Sequence, residues 1–244
     1  MNGTTGSLPV DPAAVLTTIG TGGLPSQHGI TGTLIRDAHG DAVRAWSADA
    51  PTSVIATLPD DWDRATGQRS RIGLVSKAAV ERGLVGGTWY LGHDRDDLVL
   101  GPSDPVTAVT RLVERGYGSD DTADILGVVL HGAIKHMDRQ TGAIVDAVQR
   151  LVPDATFVLT TTGAAYGALD EPPDVASSVD RIVGSSVVSA TVPGGLFLNA
   201  AEMTTSGITS DDVVRAMDTL KSSFGTPLFA DAYPGFAISF SRYC

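Results

Sequence analysis

The sequence predicts an α/β fold: a mainly parallel sheet with helices on both faces, carrying an additional hairpin and strands towards its C-terminal end. Three observations predict it. Residues 125–130 and 156–160 are unbroken apolar runs, as expected of strands buried on both faces. Between them, residues 133–151 repeat apolar side chains at helical spacing through Ile134, Met137, Ile144, Val145, Val148 and Leu151. Strand, helix and strand in that order imply a right-handed parallel crossover. A further apolar run, Ile72-Gly73-Leu74-Val75, adds another buried strand.

The remaining elements follow from local chemistry. Asp11-Pro12 reads as an N-cap and a first helical residue, so a helix starts there and ends at Gly20, Gly22 and Gly23. Residues 33–36 and 42–46 flank the turn cluster Asp37-Ala38-His39-Gly40, which predicts a β-hairpin. Residues 52–67 read as helical with a break at Pro59, and a short helix is expected over 78–82. Residues 88–91 and 98–100 bracket the acidic run His93-Asp94-Arg95-Asp96-Asp97, which reads as a solvated hairpin lacking the ligand spacing of a calcium loop. An amphipathic helix covers 104–115, with Val106, Val109, Leu112 and Val113 on one side. Beyond residue 160 the expected order is a helix over 175–183, a hairpin of 187–191 with 196–199, a helix over 211–222, and strands over 228–232 and 236–240.

Composition narrows the functional classes. With 42% hydrophobic and 18% charged residues over 244 positions, the chain is globular, and no linker divides it, so one domain over 1–244 is expected. No stretch approaches the roughly 20 apolar residues of a membrane helix, and the N-terminus carries no secretory signal, so a cytoplasmic location is expected. A net charge of -11 repels phosphate backbones and anionic membranes alike. Neither nucleic acid nor membrane is an expected partner. The lone Cys244 forms no intrachain disulfide and no multi-cysteine zinc site.

The run Thr21-Gly22-Gly23-Leu24-Pro25-Ser26-Gln27-His28-Gly29-Ile30 follows the first helix, and it resembles the alkaline phosphatase superfamily, in particular the nucleotide pyrophosphatase and phosphodiesterase branch. In that family Thr-Gly, a spacer with Pro, and His-Gly-Ile follow the helix that bears the nucleophile. Residues 137–147 are similar to the family's helix before the strand that leads into its Ser-Asp-His-Gly metal motif. The resemblance implies an alkaline-phosphatase-like α/β domain. It also implies phosphoester hydrolysis by two zinc ions, held by Asp and His at strand ends, which ionise a Thr or Ser nucleophile.

Carried over residue by residue, that chemistry is interrupted. The nucleophile position falls at Asp11 or Pro12, neither of which has a hydroxyl. The metal-binding Asp and His correspond to Thr161 and Thr162, and neutral hydroxyls are weak zinc ligands. The loop that carries a further Asp and His shrinks to His131-Gly132, and all five histidines precede Met137. The family's opening strand has no counterpart in this sequence, so either that strand belongs to a segment ahead of the sequence given, or the sheet is expected to be completed by a protein partner or by self-association.

The expectation is therefore an alkaline-phosphatase/phosphodiesterase-like protein that has lost two-metal hydrolysis and acts as a binding or regulatory homologue. No cofactor is expected. The alternative is a metal-dependent phosphodiesterase or phosphatase whose zinc ligands come from an N-terminal segment, a partner chain or a rebuilt site. Asp11 and His131 are the candidates at catalytic positions, and Thr161 and Thr162 are candidates for binding a small polar ligand. Asp11 has an ordinary competing role as a helix cap, and His131 has one as a hydrogen-bonded residue ahead of the next helix. Ser7, Thr4 and Thr5 read as surface polar residues, and His28 as a structural hydrogen-bonding residue. Spacing places His131, His136 and Asp138 on different faces, so they do not form a metal site by themselves.

Overall fold

The structure is a computed structural model that describes residues 11–47, 50, 52–87, 89–90, 97–162, 174–192, 194–229 and 231–235. The chain falls into two compact units, Met1–Ala164 and Ala165–Cys244.

The first unit is built on a three-stranded parallel sheet, order β4-β3-β5, comprising β3 (Ile72–Ser76), β4 (Asp97–Leu100) and β5 (Ile125–Val128). Every residue of β3 is buried, as its central place requires. One face packs on α4 (Pro105–Glu114) and α5 (Ile134–Leu151) through Val75, Val109, Leu112, Val113 and Ile144. The other face carries Ile72, Leu74 and Val85, the last just after a 3-10 helix over Ala79–Leu84. α1 (Pro12–Thr21) lies against that 3-10 helix, so helical segments cover both faces of the sheet. Ahead of the sheet come a short helix α2 (Pro25–His28), an antiparallel hairpin of β1 (Leu34–Arg36) and β2 (Ala42–Arg44), and α3 (Leu58–Ala65).

The second unit pairs β6 (Val188–Val192) with β7 (Gly195–Leu198) as a hairpin. It packs with α6 (Val175–Val183), α7 (Ala200–Ser206) and α8 (Ser210–Thr219) around Val179, Val187, Val213 and Ala216.

Several expectations are corrected. Pro59 does not break a helix. It sits in the first turn of α3, where its missing N–H costs nothing, and Thr57 caps that helix by accepting from Asp60 N at 3.2 Å. Residues 98–100 are not the return strand of a hairpin, because β4 pairs in parallel with β3. Ile134 is not buried: it is 80% exposed at the start of α5, while Ile144 and Ala147 make that helix's buried contacts. Residues 156–160 form no ladder with any described residue, and Val158 and Leu159 are 88% and 72% exposed. Residues 228–229 and 231–232 form no strand, and α7 adds a helix between the hairpin and α8, capped by Asn199. Thr4, Thr5, Ser7, His93 and residues 236–240 lie outside the described residues. No described helix is long and apolar enough to cross a membrane.

Candidate functional site at the carboxyl ends of β3 and β5

Ligands of open parallel sheets bind beyond the carboxyl ends of the strands, which in this sheet are the residues that follow β3 and β5. The chain leaving β3 turns at Lys77 and Ala78 into the 3-10 helix. Glu81 of that helix folds back, and its Oε2 accepts from the backbone N–H groups of Lys77 at 2.9 Å and Ala78 at 3.3 Å. Because β5 runs parallel to β3 with Val128 opposite Val75, the residues after β5 emerge beside this turn. His131 emerges there. Its Nε2 lies 2.6 Å from Glu81 Oε1, with side-chain exposures of 42% for the histidine and 3% for the glutamate. A buried carboxylate is costly unless its oxygens are paired, and these are held from both sides.

Asp11 stands at the N-terminus of α1, nine-tenths or more buried at 3% exposure. Its Oδ1 accepts from Ala13 N and from Thr33 Oγ1, both at 2.9 Å. The carboxylate thus caps α1 and ties it to the start of the hairpin. Its position is fixed further along α1, where the helix touches the 3-10 helix almost backbone to backbone. A Cβ on Gly20 would stand 2.2 Å from the carbonyl oxygen of Gly83, and one on Gly83 would stand 2.0 Å from Thr17 Oγ1.

His28 is fully buried and structural, as expected. Its Nδ1 accepts from Ile30 N at 3.1 Å, which leaves Nε2 as the protonated nitrogen, donating to Thr18 Oγ1 at 3.0 Å. Burial holds its pKa below the ordinary imidazole value, because the charged form would lose its hydration. The ring locks the turn Leu24-Pro25-Ser26-Gln27-His28 onto α1.

Thr161 is exposed and Thr162 half-buried, in the extended segment after residue 156. Among the described residues, Asp11, His131, Thr161 and Thr162 share no hydrogen bond, and no three His, Cys, Asp or Glu side chains gather as a metal-binding group. The contact that does form, His131 with Glu81, joins residues 50 positions apart. Sequence spacing gives no hint of it. The available signal was indirect: two apolar strands expected to lie parallel, each followed within a few residues by an ionisable side chain.

At the amino end of β3, a recess of about 230 Å³ is lined by Asp60, Asp63, Arg64, Gln68, Ile72 and Tyr90. It is smaller than the roughly 300 Å³ at which ligand pockets begin. Two of its charged groups are already engaged: Asp60 accepts from Thr57 N at 2.9 Å and Gly87 N at 2.7 Å, and the Arg64 guanidinium stacks 4.8 Å above the Tyr90 ring.

Comparison with solved structures places this architecture. The crystal structure of the wild-type alkaline phosphatase PafA matches with a TM-score of 0.53 at 15% sequence identity, over 88% of this chain and 68% of that one. The chain has an alkaline-phosphatase-like fold. No family model matches it, and no curated protein does. The likeness shows the fold that the run from Thr21 to Ile30 suggested. It leaves the chemistry to the residues themselves.

Proposed function

We propose that this chain is a non-hydrolytic homologue within the alkaline-phosphatase-like fold, of the nucleotide pyrophosphatase and phosphodiesterase type, which binds a small polar ligand at the carboxyl ends of its strands. The observation that carries the reading is the fate of Asp11. At the position where the resemblance expects a nucleophile there is a buried carboxylate whose Oδ1 accepts from Ala13 N and Thr33 Oγ1. A side chain held that way is a structural cap with no hydroxyl to ionise. The donors expected after residues 156–160 are the hydroxyls of Thr161 and Thr162, which suit a polar ligand held by hydrogen bonds but suit zinc poorly beside carboxylate or imidazole. These residues do not fit a two-zinc centre.

The same reading includes a protein partner or second copy of the chain that completes the sheet. β5 pairs with β3 on one side, and among the described residues its other edge carries no ladder. The apolar segment with Val158 and Leu159 stands exposed. A parallel strand with apolar residues on both faces normally has neighbours on both sides.

The test is zinc content and turnover. The purified chain, equilibrated with zinc, should bind less than stoichiometric metal and turn over neither phosphate monoesters nor diesters. Stoichiometric zinc, with turnover that falls at least tenfold in His131→Ala (a barrier change of about 1.4 kcal/mol), would establish the metal-dependent phosphodiesterase or phosphatase alternative instead.

A further inference from the structure

We propose that Glu81 is a positioning residue for His131: by accepting a hydrogen bond from Nε2–H it leaves Nδ1 as a hydrogen-bond acceptor at the carboxyl edge of the sheet, and the group received there is a hydroxyl. The proposal rests on the reading above that a small polar ligand is held at the strand ends.

Glu81 fixes the geometry. Its carboxylate is buried, and Oε2 is fixed by the backbone amides of Lys77 and Ala78, so its orientation follows from the turn that leaves β3. Oε1 is directed at His131 Nε2, 2.6 Å away. A carboxylate oxygen accepts, so Nε2 donates, and this fixes the tautomer of a neutral ring. Lysine or arginine in the same place would also satisfy Glu81, but each carries donors alone. An imidazole that has donated its only N–H still has a lone pair, here on Nδ1 of a half-exposed ring. Such a ring offers nothing to a bare anion, and the negative Glu81 behind it repels one. A hydroxyl can donate to Nδ1 and leave its own oxygen for other donors.

The full chain, labelled with ¹⁵N at histidine and held near pH 8, where an ordinary imidazole is neutral, reports the tautomer by long-range proton–nitrogen spectra. His131 should appear as the Nε2–H form. In Glu81→Gln the amide carbonyl takes over the Lys77 and Ala78 N–H groups and turns its NH₂ to the ring, so the tautomer should switch to Nδ1–H. Glu81→Asp, which keeps a carboxylate, should leave it largely unswitched. An Nδ1–H ring in the wild type, or an unchanged tautomer in a folded Glu81→Gln chain, overturns the positioning role. Should Glu81→Gln fail to fold, the wild type decides against the exposed His39: a free imidazole already favours Nε2–H, so His131 must hold that form more completely than His39 does, and an equal or smaller share overturns the role.

Glycerol and sulfate then serve as hydroxyl and anion probes, with the exposed-turn His39 as internal reference. The Nδ1 shift of His131 should respond to glycerol beyond the change at His39, and not to sulfate. A response to sulfate alone overturns the choice of a hydroxyl. The expected tautomer with no response to either probe defeats the ligand reading while the role of Glu81 stands.

Discussion

The two flanks of the first unit's sheet are made differently. On the flank of α1 and the 3-10 helix, polar and small residues are committed to packing: Asp11 caps, His28 bridges, and Gly20 and Gly83 let two backbones touch. On the flank of β5, α5 and residues 156–162, apolar side chains meet solvent. Ile134, Leu151, Val158 and Leu159 are all exposed, and the N-terminal half of the 18-residue α5 buries nothing fully. The tight flank occupies the positions at which the resemblance would place a nucleophile. The open flank holds His131, the ionisable candidate that still reaches solvent. Where a fold has taken up its polar groups as struts, chemistry can survive only on the side that packing has left alone.

Gly20→Ala strikes the tight flank hardest. Its new methyl group would lie 2.2 Å and 2.8 Å from two backbone carbonyl oxygens, which cannot rotate aside. Overpacking of this kind costs about 2–3 kcal/mol, to be read as a shift in the urea midpoint. A loss below about 0.5 kcal/mol would mean that α1 is free to move away from the 3-10 helix. Asp11→Ala should cost less, about 1–2 kcal/mol, because it removes the cap on Ala13 N and leaves the Thr33 hydroxyl without its acceptor. Asp11→Asn keeps a carbonyl oxygen for both donors and should recover most of the loss.

His28 adds a pH dependence to the tight flank. Its folded pKa is depressed by burial, so the folded chain binds fewer protons than the unfolded chain once pH falls below the ordinary imidazole value of about 6.5. Its stability contribution is therefore complete above about pH 6.5, and it is lost progressively as pH falls from there towards the lower folded value. The difference in melting temperature between about pH 7.5 and 5.5 should shrink in His28→Gln. An unchanged difference would assign the acid sensitivity to other groups.

Much of this fold was legible in the sequence because its signals are local. Asp11-Pro12 and Asp104-Pro105 each place a capping carboxylate ahead of a residue with no N–H, and both helices begin where those pairs stand. The hairpin around residues 37–40 and the one around residue 194 follow from their turn residues. What failed was non-local. Residues 98–100 resemble any short strand, and whether they pair with residues 88–91 or with β3 is decided by the tertiary packing of Leu98 against Ile72 and Leu74. The run 156–160 is apolar at Phe157, Val158 and Leu159, much as β5 is, yet composition does not say whether a neighbour exists to pair with it. The candidate site shows the same division. The capping role of Asp11 was readable from two adjacent residues, whereas Glu81 enters only because parallel register brings residue 131 beside residue 81.

A milder prediction reverses the sign of the first. Gly142 lies inside α5, and a Cβ there would meet nothing within 4 Å. Gly142→Ala should therefore stabilise the chain, by about 0.5–1 kcal/mol, through helix propensity and a less flexible unfolded state. One chemical change, glycine to alanine inside a helix, would then destabilise on one flank and stabilise on the other. If Gly142→Ala instead weakens the protein, something is packed against α5 in solution.

Leu159→Ser should have the smallest effect. A side chain that is 72% exposed gives up little buried apolar surface, and substitutions at such places change stability by no more than about 0.5 kcal/mol. The useful reading comes from concentration. If a second copy covers residues 156–160, the wild-type melting temperature rises with protein concentration, because association stabilises the folded state by mass action, and Leu159→Ser removes that rise while leaving the dilute melting temperature alone. If the wild type melts at one temperature over a hundredfold range and light scattering finds a monomer, self-association is excluded, and the open flank is left to a partner of another kind.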